Sequence, residues 1–241
     1  MVTNGIGTSG VAPHTTLISV KVCDVFGSCP FSAIVSGIIH AADNGANIIN
    51  MSLGGFIGKS FPGGGQLNAL LNTVMNYAAR NGVLVVSAAG NDGLDLDHLG
   101  RDFGAGSFVA TPCESGNGMC ISATGPTDAL AGYSNFGRSA VNVAAPGGDF
   151  DGDVFASVVL APCNSASLVI PGCGIGSYLF LQGTSMATPQ VSGAAALLAA
   201  QGTTKPGQLK TALQRSADDL GRKGTDAIYS KGRLNVFQLV N

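Results

Sequence analysis

The sequence contains no tryptophan, and only 11% of its 241 residues are charged, against roughly a quarter in ordinary domains. Twelve Lys and Arg against fourteen Asp and Glu leave a formal net charge of −2. No basic face for nucleic acid or anionic lipid follows from such a balance, so neither partner is expected. Long apolar runs are absent too. The longest, "GAAALLAA" at 193–200, is far below the roughly 20 residues of a bilayer span. The opening "MVTNGIG" has neither the basic nor the apolar region of a signal peptide. No repeat, low-complexity segment or linker is visible, so residues 1–241 are expected to form one domain with a sizeable core.

Glycine, by contrast, is abundant at 36 residues, which points to many tight turns. The six cysteines fall in three close pairs, each separated by turn residues. This suggests short disulfide loops, Cys23–Cys29, Cys113–Cys120 and Cys163–Cys173, and with them secretion into an oxidising compartment. Free thiols and a metal site are the alternatives, although there is no Cys-x-x-Cys and His14, His40 and His98 lie apart. Disulfides without a leader imply that a leader has been removed or that the chain is part of something longer.

Along the chain, apolar strands alternate with amphipathic helices, the pattern of an α/β fold whose parallel sheet is covered on both faces. "TLISVKVC" (16–23), "NIINMSL", "VLVVSAAG", "MCISATG" and "AVNVAAPG" read as strands. The spacing predicts a helix over 31–46, with Ile34, Val35, Ile38, Ile39 and Ala42 inward and Asn44-Gly45 as its stop. It predicts another in "GQLNALLNTVMNYAARNG", with Leu67, Leu70, Leu71, Val74 and Ala78 inward. Several strands end in small residues, and open α/β sheets bind ligands at the carboxyl ends of their strands.

Ser185 stands in "QGTSMATPQVSGAAALLAAQG" (182–202), after a glycine turn and at the start of a predicted helix. Thr184 is read as a cap and Pro189 as a first-turn residue. A helix N-terminus stabilises negative charge, so Ser185 sits where an oxyanion can be held. A serine that merely caps the helix explains the same local pattern.

The string "GTSMATP" resembles the nucleophile motif of the subtilisin-like serine proteases, the subtilases. "GIGTSGVAPHTTLISVKV", "NIINMSLGG", "VLVVSAAGND", "AGYSNFG", "VNVAAPGG" and "KGRLNVFQLV" follow in that family's order. Each is weak alone; the ordered series is specific. The resemblance implies a three-layer α/β fold, a mainly parallel sheet between helices, cleaving peptide bonds by a Ser, His and Asp triad. Ser185 is then the nucleophile and Asn91 the side-chain donor to the oxyanion, beside the Ser185 N–H. A turn residue before Asp92-Gly93 is the plainer account of Asn91. Ser52, Leu53, Gly54 and Gly55 resemble the edge on which an extended polypeptide substrate pairs. Ala88, Ala89 and Gly90 resemble the opposite wall of a roomy, mainly apolar pocket, although strand-on-helix packing also explains their size.

The family's Asp-Thr-Gly or Asp-Ser-Gly turn and its His-Gly-Thr-His motif have no counterpart here. By the resemblance both precede "GVAP", and the family's first strand lies between "TLISVKV" and "NIINMSL". The first strands are therefore expected to be missing, with the catalytic His and Asp in an absent N-terminal segment. None of His14, His40 and His98 stands in the catalytic context. Gln190 departs from a His that many members carry there, which is not the catalytic one.

No cofactor is needed for this chemistry. "VTNGIGT" (2–8) resembles the subtilase calcium loop, with Val2, Ile6 and Thr8 offering carbonyls and Asn4 its side chain. "GGDFDGD" and Asp92, Asp95 and Asp97 lack the full pattern of a calcium-binding hand and read as solvated loops. The expected function is a subtilisin-like serine endopeptidase, inactive in this form. The alternative is a noncatalytic peptide-binding or structural domain of the same fold.

Overall fold

The computed structural model describes residues 7–103, 106–163 and 178–241. Helix α1 spans Phe31–Asp43, followed by strands β1 (Ile48–Met51) and β2 (Gly55–Gly58), helix α2 (Gly64–Arg80) and strand β3 (Leu84–Ala88). After a 3-10 turn at Leu96–Arg101 come β4 (Phe108–Thr111), β5 (Met119–Thr124), β6 (Val143–Pro146) and the single turn α3 (Val154–Ser157). Strands β7 (Val159–Pro162) and β8 (Tyr178–Leu181) lead into α4 (Thr184–Ala200), α5 (Pro206–Arg215) and α6 (Val236–Val240).

Strands β1, β3, β5 and β6 form a parallel sheet in the order β1-β3-β5-β6. Side chains alternate across it. Leu84, Val86, Met119, Ile121 and Val143 pack on one face against Val191, Ala194, Ala195 and Leu198 of α4 and Leu209 and Leu213 of α5. Val83 and Val85 face the other way, onto Ile38 and Ala42 of α1 and Leu71, Val74, Met75 and Ala78 of α2. Burial on both faces explains why these strands read as nearly continuous apolar runs. Truncating a fully buried residue such as Ile121 to Ala should cost about 2–5 kcal/mol. The result is the three-layer α/β fold of the resemblance.

Helix α1 has the expected inward face and ends at Asn44, with Gly45 at φ 79°. Helix α2 corrects the sequence reading: Leu67 and Leu70 are 41% and 45% exposed. Met75 takes the inward place instead, because the buried stripe runs through 71, 74, 75 and 78. The two antiparallel pairs, β2 with β4 and β7 with β8, are absent from the sequence reading. Each strand has only four residues, and β2 carries glycine at both ends.

Segment 16–23 is the larger correction. It forms no strand, and the main chain of residues 16–22 makes no hydrogen bond among the described residues. A cavity of about 850 Å³ separates it from β1. Strand propensity alone does not make a strand, since a ladder needs a partner. Leu17 and Ile18 stand 61% and 46% exposed in consequence. At the opposite edge of the sheet, Ala144 of β6 receives the Leu234 N–H at 2.8 Å and donates to Gly232 O at 2.9 Å. That edge is covered, whereas β1 has no neighbour on its outer side among the described residues.

Disulfides Cys23–Cys29 and Cys113–Cys120 are formed as expected. The third expected pair involves Cys173, which lies outside the described residues.

Candidate active site

The loop from β8 into α4 turns at Gly183, whose φ is 148°. Its N–H donates to Gly147 O at 3.0 Å, tying the helix start to the carboxyl end of β6. Residue 147 must be glycine: a Cβ there would lie 2.5 Å from the Ala123 Cβ and 2.7 Å from Gly183 O. Gly183 takes the N-cap position, so Thr184 does not cap the helix as the sequence suggested. The Thr184 hydroxyl instead accepts the Gly90 N–H at 3.2 Å and donates to Asn91 Oδ1 at 2.8 Å.

Asn91 Oδ1 also receives the Thr184 N–H at 2.9 Å. With both bonds on the oxygen, the amide is fixed in one orientation, and Nδ2 is left as an unused donor among the described residues. The loop carrying Asn91 is clamped from below by Asn135, which is fully buried. Asn135 Oδ1 accepts the Asp92 and Leu94 N–H groups at 3.0 and 2.9 Å. Its Nδ2 donates to Ala89 O at 2.9 Å and Asp92 Oδ2 at 3.1 Å. Gly90, at φ 103°, makes room, since a Cβ there would meet Asn135 Nδ2 at 2.4 Å.

Ser185 is the second residue of α4. Pro189 lies in the second turn rather than the first, and it has no N–H to give the carbonyl four residues back, that of Ser185. Ser52 fills the vacancy: its hydroxyl donates to Ser185 O at 2.8 Å. The Ser185 hydroxyl donates in return to Ser52 O at 3.2 Å. Ser52 Oγ is steered by Asn50 Nδ2 at 3.0 Å, and Asn50 Oδ1 accepts from Ser192 of α4 at 2.9 Å. One chain of hydrogen bonds therefore fixes the end of β1 against the start of α4.

The two predicted substrate walls meet at Gly54. A Cβ there would lie 3.1 Å from Thr111 O and 3.8 Å from Ala88 O. Gly55 begins β2 opposite Thr111, Ala88 and Ala89 are buried, and Leu53 packs against the α1–α2 core. Nearby, the Tyr133 hydroxyl donates to Gly148 O at 2.5 Å and lies 3.2 Å from Gly147 O. Burial pushes its phenol up to about 12. Gln190 Nε2 donates to Pro146 O at 2.5 Å, so this departure from the family pattern serves the same junction.

No histidine joins this arrangement among the described residues. His40 Nδ1 contacts Asn44, His98 Nδ1 lies 2.6 Å from Asp95, and His14 is exposed beside the cavity next to β1. The candidate calcium residues Val2, Asn4 and Ile6 lie outside the described residues; Thr8 is inside them. No group of three or more His, Cys, Asp or Glu residues is arranged for a metal among the described residues. The acidic loops hold themselves together: Asp97 accepts from Ser139 and Ala140 N–H groups, Asp153 from Phe155, and Asp149 from Gly132.

Asn50, Asn135, Thr184 and Pro189 carry the geometry yet were not singled out for it from the sequence. Their places lie within "NIINMSLGG", "AGYSNFG" and "GTSMATP", but nothing in those strings marks the hydrogen bonds they make.

A three-layer α/β fold whose parallel sheet lies between helices, with a serine in the first turn of α4, is a subtilisin-like class of fold. The Subtilase family pattern matches residues 1–232. Thermitase of Thermoactinomyces vulgaris is 33% identical over 237 residues, 98% of this chain and 69% of that protein. Subtilisin E of Bacillus subtilis is 35% identical over 234 residues, 97% of this chain but only 51% of its own length. The solved structure of a lanthipeptide protease aligns with a TM-score of 0.84 at 28% identity, covering 95% of this chain and 71% of that one. The epidermin leader peptide processing serine protease of Staphylococcus aureus gives 0.83 at 26%, covering 97% and 59%. This chain belongs to the subtilase family. No helix among the described residues is long and apolar enough to cross a membrane.

Proposed function

We propose that the chain carries the nucleophile and oxyanion hole of a secreted serine endopeptidase acting on extended polypeptides. The observation that carries this reading is the Asn91 amide, held by Thr184 so that its free Nδ2 lies beside the N-terminus of the helix bearing Ser185. A structural domain has no need to hold an amide donor open at that place.

In the proposed reaction a general base takes the Ser185 proton as Oγ attacks the scissile carbonyl carbon. Negative charge gathers on the carbonyl oxygen, where Asn91 Nδ2 and the Ser185 N–H donate to it. The base returns the proton to the leaving amine, the C–N bond breaks, and water releases the acyl group by the same steps. Substrate main chain pairs along Ser52–Gly55, and its side chain enters between that edge and Ala88–Gly90.

No base contacts Ser185 among the described residues, and its hydroxyl is engaged with Ser52 O. The base and its orienting carboxylate therefore belong to a segment outside these residues, and the chain alone is inactive. Secretion rests on the disulfides. Structural calcium near Thr8 would stabilise the fold and takes no part in the chemistry.

Hydrolysis of a chromogenic peptide tests this reading. The purified chain should show none at protease rates. Supplied with a subtilase N-terminal segment, it should gain an activity that Ser185→Ala abolishes and Asn91→Ala lowers about 10²–10³-fold, the range known for such a donor in subtilisin. Full activity of Ser185→Ala would overturn it.

A further inference from the structure

Phe56 lies on the face of its strand that carries the candidate nucleophile. Ile49, Met51 and Leu53 pack on the core shared with α1 and α2, and a Cβ added at Gly64 of α2 would lie 3.4 Å from Ile57 Cγ2. The even residues face the other way: Asn50 accepts from Ser192 of α4, and Ser52 donates to Ser185 O. Side chains alternate along an extended chain, so Phe56 follows Ser52 and Gly54 on the face of the site. Its ring heads an aromatic stack, with centroids 5.0 Å apart from Phe56 to Phe103, 4.7 Å from Phe103 to Phe108 and 5.9 Å from Phe108 to Phe61. Phe103 and Phe61 are 42% and 63% exposed, so the stack reaches solvent. Contiguous apolar surface of this kind is a mark of recognition sites.

The main chain is directed as well. Lys59 N donates to Ser107 O at 2.7 Å, and the antiparallel register runs Gly58 to Phe108. Only alternate pairs of such a ladder exchange hydrogen bonds. Residues 55, 57 and 59 therefore serve β4, and the N–H and C=O of Phe56 point to the outer edge. Ala110, opposite Phe56, agrees: its N–H donates to Glu114 Oε2 at 2.7 Å and its carbonyl accepts the Glu114 N–H at 2.8 Å. The main-chain groups of Gly54 and Phe56 have no partner on that edge among the described residues. Gly58 O accepts the Phe61 N–H at 3.1 Å, so the open edge ends at Phe56.

Given the serine endopeptidase reading, on which this rests, we infer that Phe56 determines specificity at the far end of the substrate edge. Its main chain pairs with, and its ring receives, an apolar substrate residue four positions before the one whose carbonyl Ser185 attacks. Ser185 Oγ lies 3.2 Å from Ser52 O, so the residue under attack sits opposite Ser52. Steps of two along the edge then set one substrate residue opposite Gly54 and the next opposite Phe56. On its other side β2 pairs antiparallel with β4, and purely antiparallel sheets are favoured over mixed ones. The substrate accordingly joins as a third antiparallel strand, and the residues opposite Gly54 and Phe56 precede the scissile bond. Directly opposed side chains share one face, with Cβ atoms about 4.5–5.5 Å apart, which lays the residue at Phe56 against its ring with Phe103 behind. The substrates so selected are extended for five residues up to the cleaved bond and carry a leucine, methionine or aromatic side chain at the first of them. An aspartate there would face aromatic rings whose surfaces are themselves negative.

The chain alone is inactive by the same reading, so uncleaved peptides can be titrated into it and followed by NMR. The probes are capped peptides of about seven residues, alanine throughout except for phenylalanine at the residue under attack and leucine or aspartate four positions before it. The leucine peptide should shift the backbone amides of Gly54 and Phe56 together and bind about tenfold more tightly than the aspartate peptide. In Phe56→Ala, and in Phe103→Ala, which leaves β2 untouched, that preference should fall to about twofold while the Gly54 amide still responds. Equal binding of the two peptides to the unaltered chain overturns the inference. So does a preference that survives both variants, or one that appears when leucine is moved to the far side of the scissile bond. A response at Gly54 without one at Phe56 overturns it and leaves the protease reading standing. No response at either amide in folded protein removes the substrate edge itself, and both readings with it.

Discussion

Thr184 and Asn91 are joined twice, main-chain N–H and hydroxyl of the one to the same Oδ1 of the other, at 2.9 and 2.8 Å. Two donors on one oxygen decide which end of an otherwise symmetric amide faces the site. The consequence is that a hydroxyl with no part in bond making determines where the oxyanion donor points. Thr184→Val keeps the shape and removes one of the two bonds, together with the acceptor of the Gly90 N–H. It should lower stability by about 1–2 kcal/mol, seen as a shifted denaturation midpoint at unchanged slope. The Asn91 side-chain amide signals should broaden in NMR spectra. An unshifted midpoint with sharp amide signals would show that the main-chain bond suffices.

Asn135 uses all of its amide capacity on the Asn91 loop, and it does so without solvent. Asn135→Ala strands the Asp92 and Leu94 N–H groups and Ala89 O. At about 1–3 kcal/mol for each orphaned group, losses of 3 kcal/mol or more are expected in thermal or denaturant unfolding. Asn135→Asp should be pH-dependent. Its carboxylate would face Asp92 and Ala89 O, so burial and like charge raise its folded pKa above the unfolded value. Its stability is then highest below the unfolded pKa and falls as pH rises through the folded one. A flat pH profile for this variant would contradict the clamp.

The sheet was legible in the sequence where both faces are buried, as in "VLVVSAAG" and "MCISATG", because dense apolar runs leave few alternatives. Segment 16–23 is likewise rich in β-branched residues and forms no strand, since pairing is a property of two segments. Leu67 and Leu70 mislead for a related reason: helical spacing marks a stripe, and its edge is set by what packs there. At the site, Ser185 and Asn91 stood out through a resemblance to family motifs. Their supports did not, because nothing in a chain marks a threonine or asparagine as buried until the fold encloses it. Pro189 could be read as a helix residue, but its effect, the Ser185 carbonyl released to Ser52, depends on a residue just past β1 and 133 positions from Ser185 in sequence.

The two described disulfides differ in shelter. Cys113 and Cys120 are 6% and 0% exposed, whereas Cys23 and Cys29 are only half-buried beside the loose segment 16–22. Thiol–disulfide exchange requires access to sulfur. Mild reductant on folded protein, followed by alkylation and peptide mapping, should label Cys23 and Cys29 first. Replacing Cys113 and Cys120 together by Ala should cost about 2.5 kcal/mol, as loops of this length imply. Simultaneous labelling of both pairs would mean that the fold opens as a whole before either is reduced.

Tyr133 gives a signature in alkali. Its phenol donates to Gly148 O, and burial pushes its pKa up to about 12. Tyr77 is also raised, chiefly because it donates to Asp43 at 2.5 Å, so Tyr77→Phe is the background in which Tyr133 is read. Phenolate absorbance should then show one late step near pH 12. Because the folded value lies above the ordinary value of 10.0, the stabilising contribution of the phenol is whole below pH 10, fades as pH climbs toward 12, and is gone beyond. Tyr133→Phe in the same background should lose the late step, be less stable by about 1 kcal/mol at neutral pH, and show a shallower loss of stability between pH 10 and 12. If the late step survives Tyr133→Phe, the buried donor that ties Gly148 to the helix start is some other group.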